Sequence, residues 1–274
     1  MGSVRIIDVS PLATIQDLGR FGYRKYGIPQ SGAIDPAGMQ LANKLVNNDE
    51  MAPVIEFALG GLQLEVVEPC TLGVFGAALK LNGQPVRENA VAATKGAVVE
   101  LSSPKLVYGY LAMGGKLIAE KQFDSFSTYL PGGFGGNKGR LLRKGDLIQT
   151  SEVGSIQNIA SRAAPGQIIQ FYEGPEFASI ESSIGATDYQ IDPVSNRIGI
   201  RLIGKPILSS ISEIKSSAVV PGTIQLLPNG QLVVLMNDCQ TTGGYPRIGK
   251  VYAKDLWKLG QTKPGNSIRL KQIS

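Results

Sequence analysis

Short apolar segments rich in β-branched residues, each closed off by a glycine or proline turn, recur along this chain and leave little room for long helices. Val4–Val9, Val54–Ala58, Leu62–Val67, Thr71–Phe75, Ala97–Leu101 and Leu106–Ala112 read as strands in the first half. Gln167–Phe171, Ile198–Ile203, Thr223–Leu227, Leu232–Met236 and Ser267–Leu270 read as strands in the second. Leu59-Gly60-Gly61, Asn82-Gly83 and Pro228-Asn229-Gly230 supply the turns between them, because glycine and asparagine adopt the positive φ that tight reversals need. Many short strands joined in this way build sandwiches or barrels. One segment departs from the pattern. At Asp35–Val46 an N-cap aspartate, a proline at the first helical position and a shared face of Met39, Ala42, Leu45 and Val46 predict a helix, with Asn47-Asn48 as a left-handed stop. Shorter helices are predicted at Pro175–Ile180 and Ala253–Leu259. The expected fold is mainly β with a few short helices.

A chain of 274 residues is long enough for one large domain or two ordinary ones. The stretch Ser151–Gly166 is polar, small and without a strand pattern. A boundary there gives an N-terminal subdomain of residues 1–155 and a C-terminal one of residues 156–274. Gln16–Tyr23 and Asp238–Arg247 share a composition, each preceding a helix, which fits either two related barrels or coincidence.

The absence of histidine removes Ser-His-Asp and Cys-His catalysis and every zinc site that needs imidazole. Two cysteines, Cys70 and Cys239, supply neither a thiolate-rich metal site nor a disulfide framework. No metal is expected, and acid–base work falls to carboxylates, Lys, Tyr, Cys or a partner's residues. The net charge of +5 is spread as single residues without a basic and aromatic stripe, so no nucleic-acid partner is expected. No apolar run approaches the roughly 20 residues that span a bilayer. Met1–Ile6 lacks a signal-peptide core, and Ile6 stands where myristoylation requires Ser or Thr. A cytoplasmic protein without membrane association is the expectation.

Two glycine-rich stretches invite a phosphate-binding reading and fail it. In Tyr110–Leu117 tyrosine replaces the first P-loop glycine, and Leu117 replaces the Ser or Thr that holds magnesium. Pro131–Arg140 does not fit the dinucleotide fingerprint and no helix follows it. It remains a glycine-rich, cationic loop, read either as an anion-binding lid or as a plain surface loop.

Asp238-Cys239-Gln240-Thr241-Thr242-Gly243-Gly244-Tyr245-Pro246-Arg247 is the densest concentration of chemistry in the chain. It follows the apolar run Leu232–Met236, and a strand that delivers polar groups into a glycine bend is a common way to build a site. The same stretch also reads as a polar hairpin turn.

Several blocks in order carry a family resemblance: Thr14–Tyr23, Gly27–Asp35, Ser127–Leu130, Ser195–Gly199 and the run ending Gln240-Thr241-Thr242-Gly243-Gly244-Tyr245-Pro246. Across almost its whole length the chain resembles the C-subunit family of bacterial 5-oxoprolinase, also described as allophanate hydrolase subunit 2-like, KipA-like or biotin-dependent carboxyltransferase-like. The resemblance implies two cyclophilin-like β-barrel subdomains. It implies partnership with a B-type (KipI-like) protein and an A-type protein, the set hydrolysing 5-oxo-L-proline to L-glutamate with ATP. It also implies two alternatives. One is a carboxyltransferase half-module acting on urea or an amide with carboxybiotin, although this chain has no Met-Lys-Met biotinylation site. The other is a regulatory partner of a KipI-like kinase inhibitor. Some positions depart from the family pattern. Asp238-Cys239 stands where Asp-Arg is usual, Asp124-Ser125 where Gly-Ser is, Pro131 where Arg is, and Ser195-Asn196-Arg197 where Ser-Asp-Arg is. Losing an arginine beside the central motif removes a bidentate anion grip that cysteine cannot replace.

Either chemistry needs a flat lactam, amide or ureido group held, an anion gripped and a developing oxyanion stabilised. The catalytic candidates are Asp238, Gln240, Thr241, Thr242 and Arg197. The substrate-binding candidates are Gly243, Gly244, Tyr245, Arg247, Arg20, Ser31, Glu56 and Tyr129. Asp238, at the end of an apolar strand, reads as a general base or as a cap on its own turn. The diglycine amides suit an oxyanion, and Arg20, Arg197 and Arg247 suit an anion. Glu56, inside an apolar strand, is either a paired buried carboxylate or a site residue. Asp17 and Arg20 read as an ion pair bracing a glycine loop, and Asp35 mainly as a helix cap. Tyr129 and Tyr245 either flank a planar substrate or simply pack. Nothing near Cys239 in the sequence marks it as a nucleophile.

Overall fold

Alternation along the strand Leu62–Glu68 sets an inner face. Leu62, Leu64 and Val66 are buried, whereas the residues between them are partly exposed. The same rule, applied through the turns predicted above, organises the rest of the chain. The computed structural model describes residues 1–157, 159, 162–181 and 184–273. All eleven strands expected from the sequence are present, shifted at their ends by a residue or two.

The chain divides into two compact units, one of residues Met1–Arg20 and Ser31–Arg162, the other of Phe21–Gln30 and Ala163–Ser274. Residues 158, 160 and 161 of the linking stretch lie outside the described residues. A ten-residue segment from near the start therefore belongs with the C-terminal half.

The first unit holds two antiparallel sheets. One runs in the order Leu147–Gln149, Ser3–Val9, Leu62–Glu68, Val98–Leu101, Leu79–Leu81, Gln84–Val86. The other runs Leu12–Gln16, Val54–Ala58, Tyr108–Met113, Cys70–Phe75, Ala90–Ala93. Ile6, Leu64 and Val99 from the first sheet and Phe57, Leu72 and Leu111 from the second share one core. The predicted helix spans Pro36–Leu45. The Asp35 carboxylate accepts from the Gly38 N–H at its start, and Asn47 takes φ 56° just beyond its end. It packs on Gly73, where a Cβ would lie 2.8 Å from that of Leu45, so the strand needs glycine for the helix to approach.

In the second unit seven strands close a barrel in the order Ile168–Glu173, Arg247–Val251, Thr223–Leu226, Leu232–Leu235, Gly199–Ile203, Asp188–Ile191, Ser267–Gln272. The closing pair, Ile168–Glu173 with Ser267–Gln272, is parallel and the others are antiparallel. Closure leaves no free edge in this sheet. The expected helix at Pro175–Ile180 is a single 3-10 turn, Phe177–Ser179. That at Ala253–Leu259 is a 3-10 turn running into the short helix Leu256–Gly260. No described helix is long and apolar enough to cross a membrane.

Candidate functional site

Antiparallel pairing of Gly199–Ile203 with Leu232–Leu235 puts Gly199 opposite Leu235. Backbone bonds continue past the ladder, Met236 N–H to the Ile198 carbonyl and Asp238 N–H to the Arg197 carbonyl, each 2.9 Å. The extension brings Arg197 and Asp238 face to face. Arg197 Nε donates to Asp238 Oδ2 at 2.8 Å and Nη2 to Oδ1 at 3.1 Å. Both side chains are nearly buried, 9% and 5% exposed. A bidentate guanidinium fixes the orientation of a carboxylate as well as its charge. Asp238 is thus an oriented carboxylate, and two residues nominated separately from the sequence form one group.

Past Asp238 the chain is held largely by its backbone. The Thr241 carbonyl accepts from Val219 N–H at 3.0 Å, and the Gly244 carbonyl from Ile214 N–H at 2.8 Å. Thr242–Gly243 pairs with Ser217–Ala218 in a two-residue ladder. Gln225 Nε2 donates to the Tyr245 carbonyl at 3.4 Å, while the Gln240 and Tyr245 side chains are solvent-exposed. Arg247 is engaged by Glu176. Its Nε and Nη2 reach the carboxylate at 3.0 and 2.8 Å, and its N–H at 2.8 Å. Those bonds hold the Glu176 carboxyl below its ordinary pKa, so this arginine already has its anion.

Sequence reasoning passed over Arg24 and Lys250. Arg24, carried by the segment 21–30, donates through Nη2 to the Val219 carbonyl and, at 2.9 Å, to the Gln240 carbonyl. It also acts electrostatically on the Cys239 thiol. A guanidinium thus stands beside the position where the family resemblance places an arginine. Lys250 Nζ bonds the Pro221 carbonyl in the same turn. Burial pushes the Cys239 thiol above its ordinary pKa, outweighing the opposite pull of Arg24 and Lys250. Burial also lowers the pKa of Lys250, with the thiol opposing and Arg24 adding to that effect. The Tyr23-Arg24-Lys25-Tyr26 run was a visible signal for Arg24. Nothing in the spacing marks Lys250, which sits in a strand the sequence did not reveal.

The remaining candidates lie in the first unit. The Asp17 carboxylate accepts from Gly19 N–H (2.8 Å), Phe126 N–H (2.7 Å), Ser125 Oγ (2.6 Å) and Ser127 Oγ (2.5 Å). Arg20 is 1% exposed, donates to the Ser127 carbonyl and lies 4.8 Å from the Phe134 ring centre. Tyr129 packs on the same ring, with centroids 5.4 Å apart. Glu56 accepts from Ile34 N–H at 2.8 Å and from Tyr110 Oη at 2.9 Å, and Tyr110 Oη accepts from Asp35 N–H at 2.8 Å. Of the two readings of Glu56, the buried and bonded carboxylate describes this geometry. Asp35 also pairs with Arg162. Ser31 is fully buried at φ 54°, its hydroxyl without a hydrogen-bond partner among the described residues.

Several amides of the 131–140 loop are bonded to nearby carbonyls. Gly133 N–H goes to Tyr129, Gly136 N–H to Glu120 and Gly139 N–H to Gly135. A nest for phosphate needs such groups converging on the ligand, and these three point to carbonyls instead. At Gly114 and Gly115 a Cβ would fall on Thr71, Gly154 and Glu152, so both glycines pack closely against neighbouring chain. Two concavities, of about 490 Å³ beside Asn48, Lys116 and Phe126 and about 380 Å³ beside Ile168, Phe177 and Arg269, are lined by none of the residues nominated from the sequence.

A mainly β chain of two units, with its strand-end carboxylate locked to an arginine and a guanidinium–thiol–ammonium group nearby in the closed barrel's unit, defines the class. The chain belongs to the carboxyltransferase domain family, subdomain A and B, whose model matches residues 26–272. It is 34% identical to the 5-oxoprolinase C subunit of Haemophilus influenzae and 33% identical to that of Escherichia coli. Each match covers 99% of this chain and 91% of the relative. It is 28% identical to urea amidolyase of Lachancea kluyveri over 95% of this chain, but that is only 16% of the larger protein. Among solved structures, TTHA0988 superposes with a TM-score of 0.86 at 26% identity over 99% of this chain and 56% of its own. K. lactis urea amidolyase shares the fold, with a TM-score of 0.89 at 24% identity over 99% of this chain and 19% of its own.

Proposed function

We propose that this chain is the C-type subunit of an ATP-dependent 5-oxoprolinase and acts with A- and B-type subunits to open the lactam of 5-oxo-L-proline to L-glutamate. The observation that carries this reading is end-to-end correspondence with two 5-oxoprolinase C subunits, at 99% of this chain and 91% of each relative. The urea amidolyase match uses a small fraction of a much longer protein. In this role Asp238, oriented by Arg197, is the base that directs water or relays a proton at the amide carbon. Ring opening adds water across the C–N bond, the hydroxyl to the carbonyl carbon and the proton to the departing nitrogen. The Gln240–Thr242 side chains hold the lactam edge, and the diglycine bend faces the developing oxyanion. On this reading ATP is consumed by the complex.

The test is reconstitution. The three subunits together are expected to release glutamate from 5-oxoproline only with ATP, and Asp238→Asn to remove at least about 100-fold of the rate. Well-folded subunits that assemble but release no glutamate defeat the proposal. Unchanged turnover in Asp238→Asn defeats the site assignment alone.

One observation favours a second reading. The family model is that of a carboxyltransferase domain, and urea amidolyases contain a stretch similar to nearly all of this chain. Under that reading the chain is half of a carboxyltransferase served by a biotin carrier in trans. Carboxylation of urea or an amide that requires biotin, with no ATP-dependent glutamate release, selects it.

A further inference from the structure

We infer that Arg24 and Lys250 form a carboxylate-binding subsite in the C-terminal unit and that, on the 5-oxoprolinase reading, it holds the carboxylate of the lactam substrate. The argument starts from unbalanced charge. Arg24 and Lys250 lie close enough to repel one another, and both act on the Cys239 thiol. Each is fixed by a carbonyl of one turn, Arg24 by Val219 and Lys250 by Pro221. Among the described residues no carboxylate pairs with either. Asp238, next to Cys239 in sequence, is committed to Arg197, and Asp255, which follows Lys250, pairs with Lys258. The thiol does not balance the charge, because burial keeps it protonated. Two cations held together without an anion are costly unless a ligand supplies one.

The bonding of Arg24 points the same way. If it were only a clamp between Val219 and Gln240, Nη2 would suffice, since that nitrogen makes both bonds. Nη1 is buried and has no hydrogen-bond partner among the described residues. A carboxylate gives it one, and its second oxygen reaches an ammonium such as Lys250 without displacing either carbonyl. Both residues are only partly buried, but Nη1 itself is closed to solvent, so a carboxylate has to insert beside it. The Gln240 carbonyl that holds Arg24 belongs to the segment proposed to hold the lactam edge. A small ring bearing a carboxylate therefore finds its charged end and its amide end served by one loop. Neutral amides such as urea have no use for this pair.

The inference rests on the proposed function only for the identity of the ligand, and the experiment separates the two. The isolated chain is titrated with acetate, 5-oxo-L-proline and 2-pyrrolidinone, the same lactam without its carboxylate. Wild type is compared with Arg24→Gln, Lys250→Met and Lys250→Arg. Fluorescence of Trp257, the single tryptophan, checks that each variant is folded. Acetate and 5-oxoproline are expected to bind wild type. Arg24→Gln and Lys250→Met should each lose about 10- to 100-fold in affinity for both, and Lys250→Arg should retain most of it. 2-Pyrrolidinone should bind weakly and equally to all four. Carboxylate affinity unaltered by either charge removal, or absent in wild type, overturns the subsite. If acetate binding depends on both cations but the complex makes no glutamate, the subsite stands and the 5-oxoprolinase reading falls. If the complex turns over with a KM untouched in both variants, the reverse holds.

Discussion

Arg197→Ala is expected to expose how much of the C-terminal unit rests on one ion pair. The substitution strips Asp238 of two charge-assisted hydrogen bonds, at 2.8 and 3.1 Å, while leaving its carboxylate 5% exposed. Removing one partner of a buried pair costs about 3–5 kcal/mol, because the other charge stays desolvated and unopposed. Asp238→Asn keeps an acceptor and loses only the charge, so about 1–3 kcal/mol is expected. Arg197→Met with Asp238→Leu removes both charges and should recover most of the loss. Urea unfolding followed by Trp257 fluorescence is the appropriate assay, because that residue lies in the C-terminal unit and two units need not unfold together. With a urea dependence of about 2 kcal/mol per molar, Arg197→Ala should lower the midpoint by about 1.5–2.5 M. A fall of less than about 0.3 M on the same scale, or a double variant no more stable than the single one, refutes the reasoning.

Three further outcomes follow from the geometry. Tyr110→Phe removes the hydroxyl that bonds Glu56 and receives Asp35 N–H, and should cost the first unit about 1–3 kcal/mol in urea or thermal unfolding. The Glu176 carboxyl titrates below its ordinary range because of Arg247. The stability this pair contributes is present above the unfolded carboxyl pKa and is lost as pH falls through the lower folded one. Arg247→Gln should therefore flatten the acid limb of the C-terminal unit's pH–stability profile and leave neutral-pH slopes alone. Cys239 is fully buried and its thiol is pushed up in pKa, so iodoacetamide should label it at least about 100-fold more slowly in the native protein than in urea.

What the sequence disclosed, and what it withheld, divides along physical lines. Strands with a clean apolar rhythm were legible, Leu62–Glu68 foremost, as was the helix after Asp35 with its cap and proline. Leu12–Gln16 was missed because its buried residues include the polar Thr14 and Gln16, where Gln16 Nε2 donates to Thr14 Oγ1 and to the Thr128 carbonyl. Arg247–Val251 was missed because Gly249 interrupts its pattern. Phe171 and Ile224 need that gap, since a Cβ there would fall 2.9 and 3.0 Å from them. The site was legible as a list of polar residues but not as an arrangement. The pairing of Arg197 with Asp238 and of Arg247 with Glu176, and the approach of Arg24 to Gln240, join positions 41, 71 and 216 residues apart. Local spacing carries no information at that range.

The assignment of residues 21–30 to the C-terminal unit has a consequence for biosynthesis. As these residues leave the ribosome, none of the barrel strands that will receive them has yet been translated. The unit therefore matures only after synthesis of its last strand, Ser267–Gln272, without which the barrel does not close. A product begun at Ala163 should carry every barrel strand yet leave the Val219 and Gln240 carbonyls to water. A synthetic peptide of residues 21–30 added to it is the natural complement.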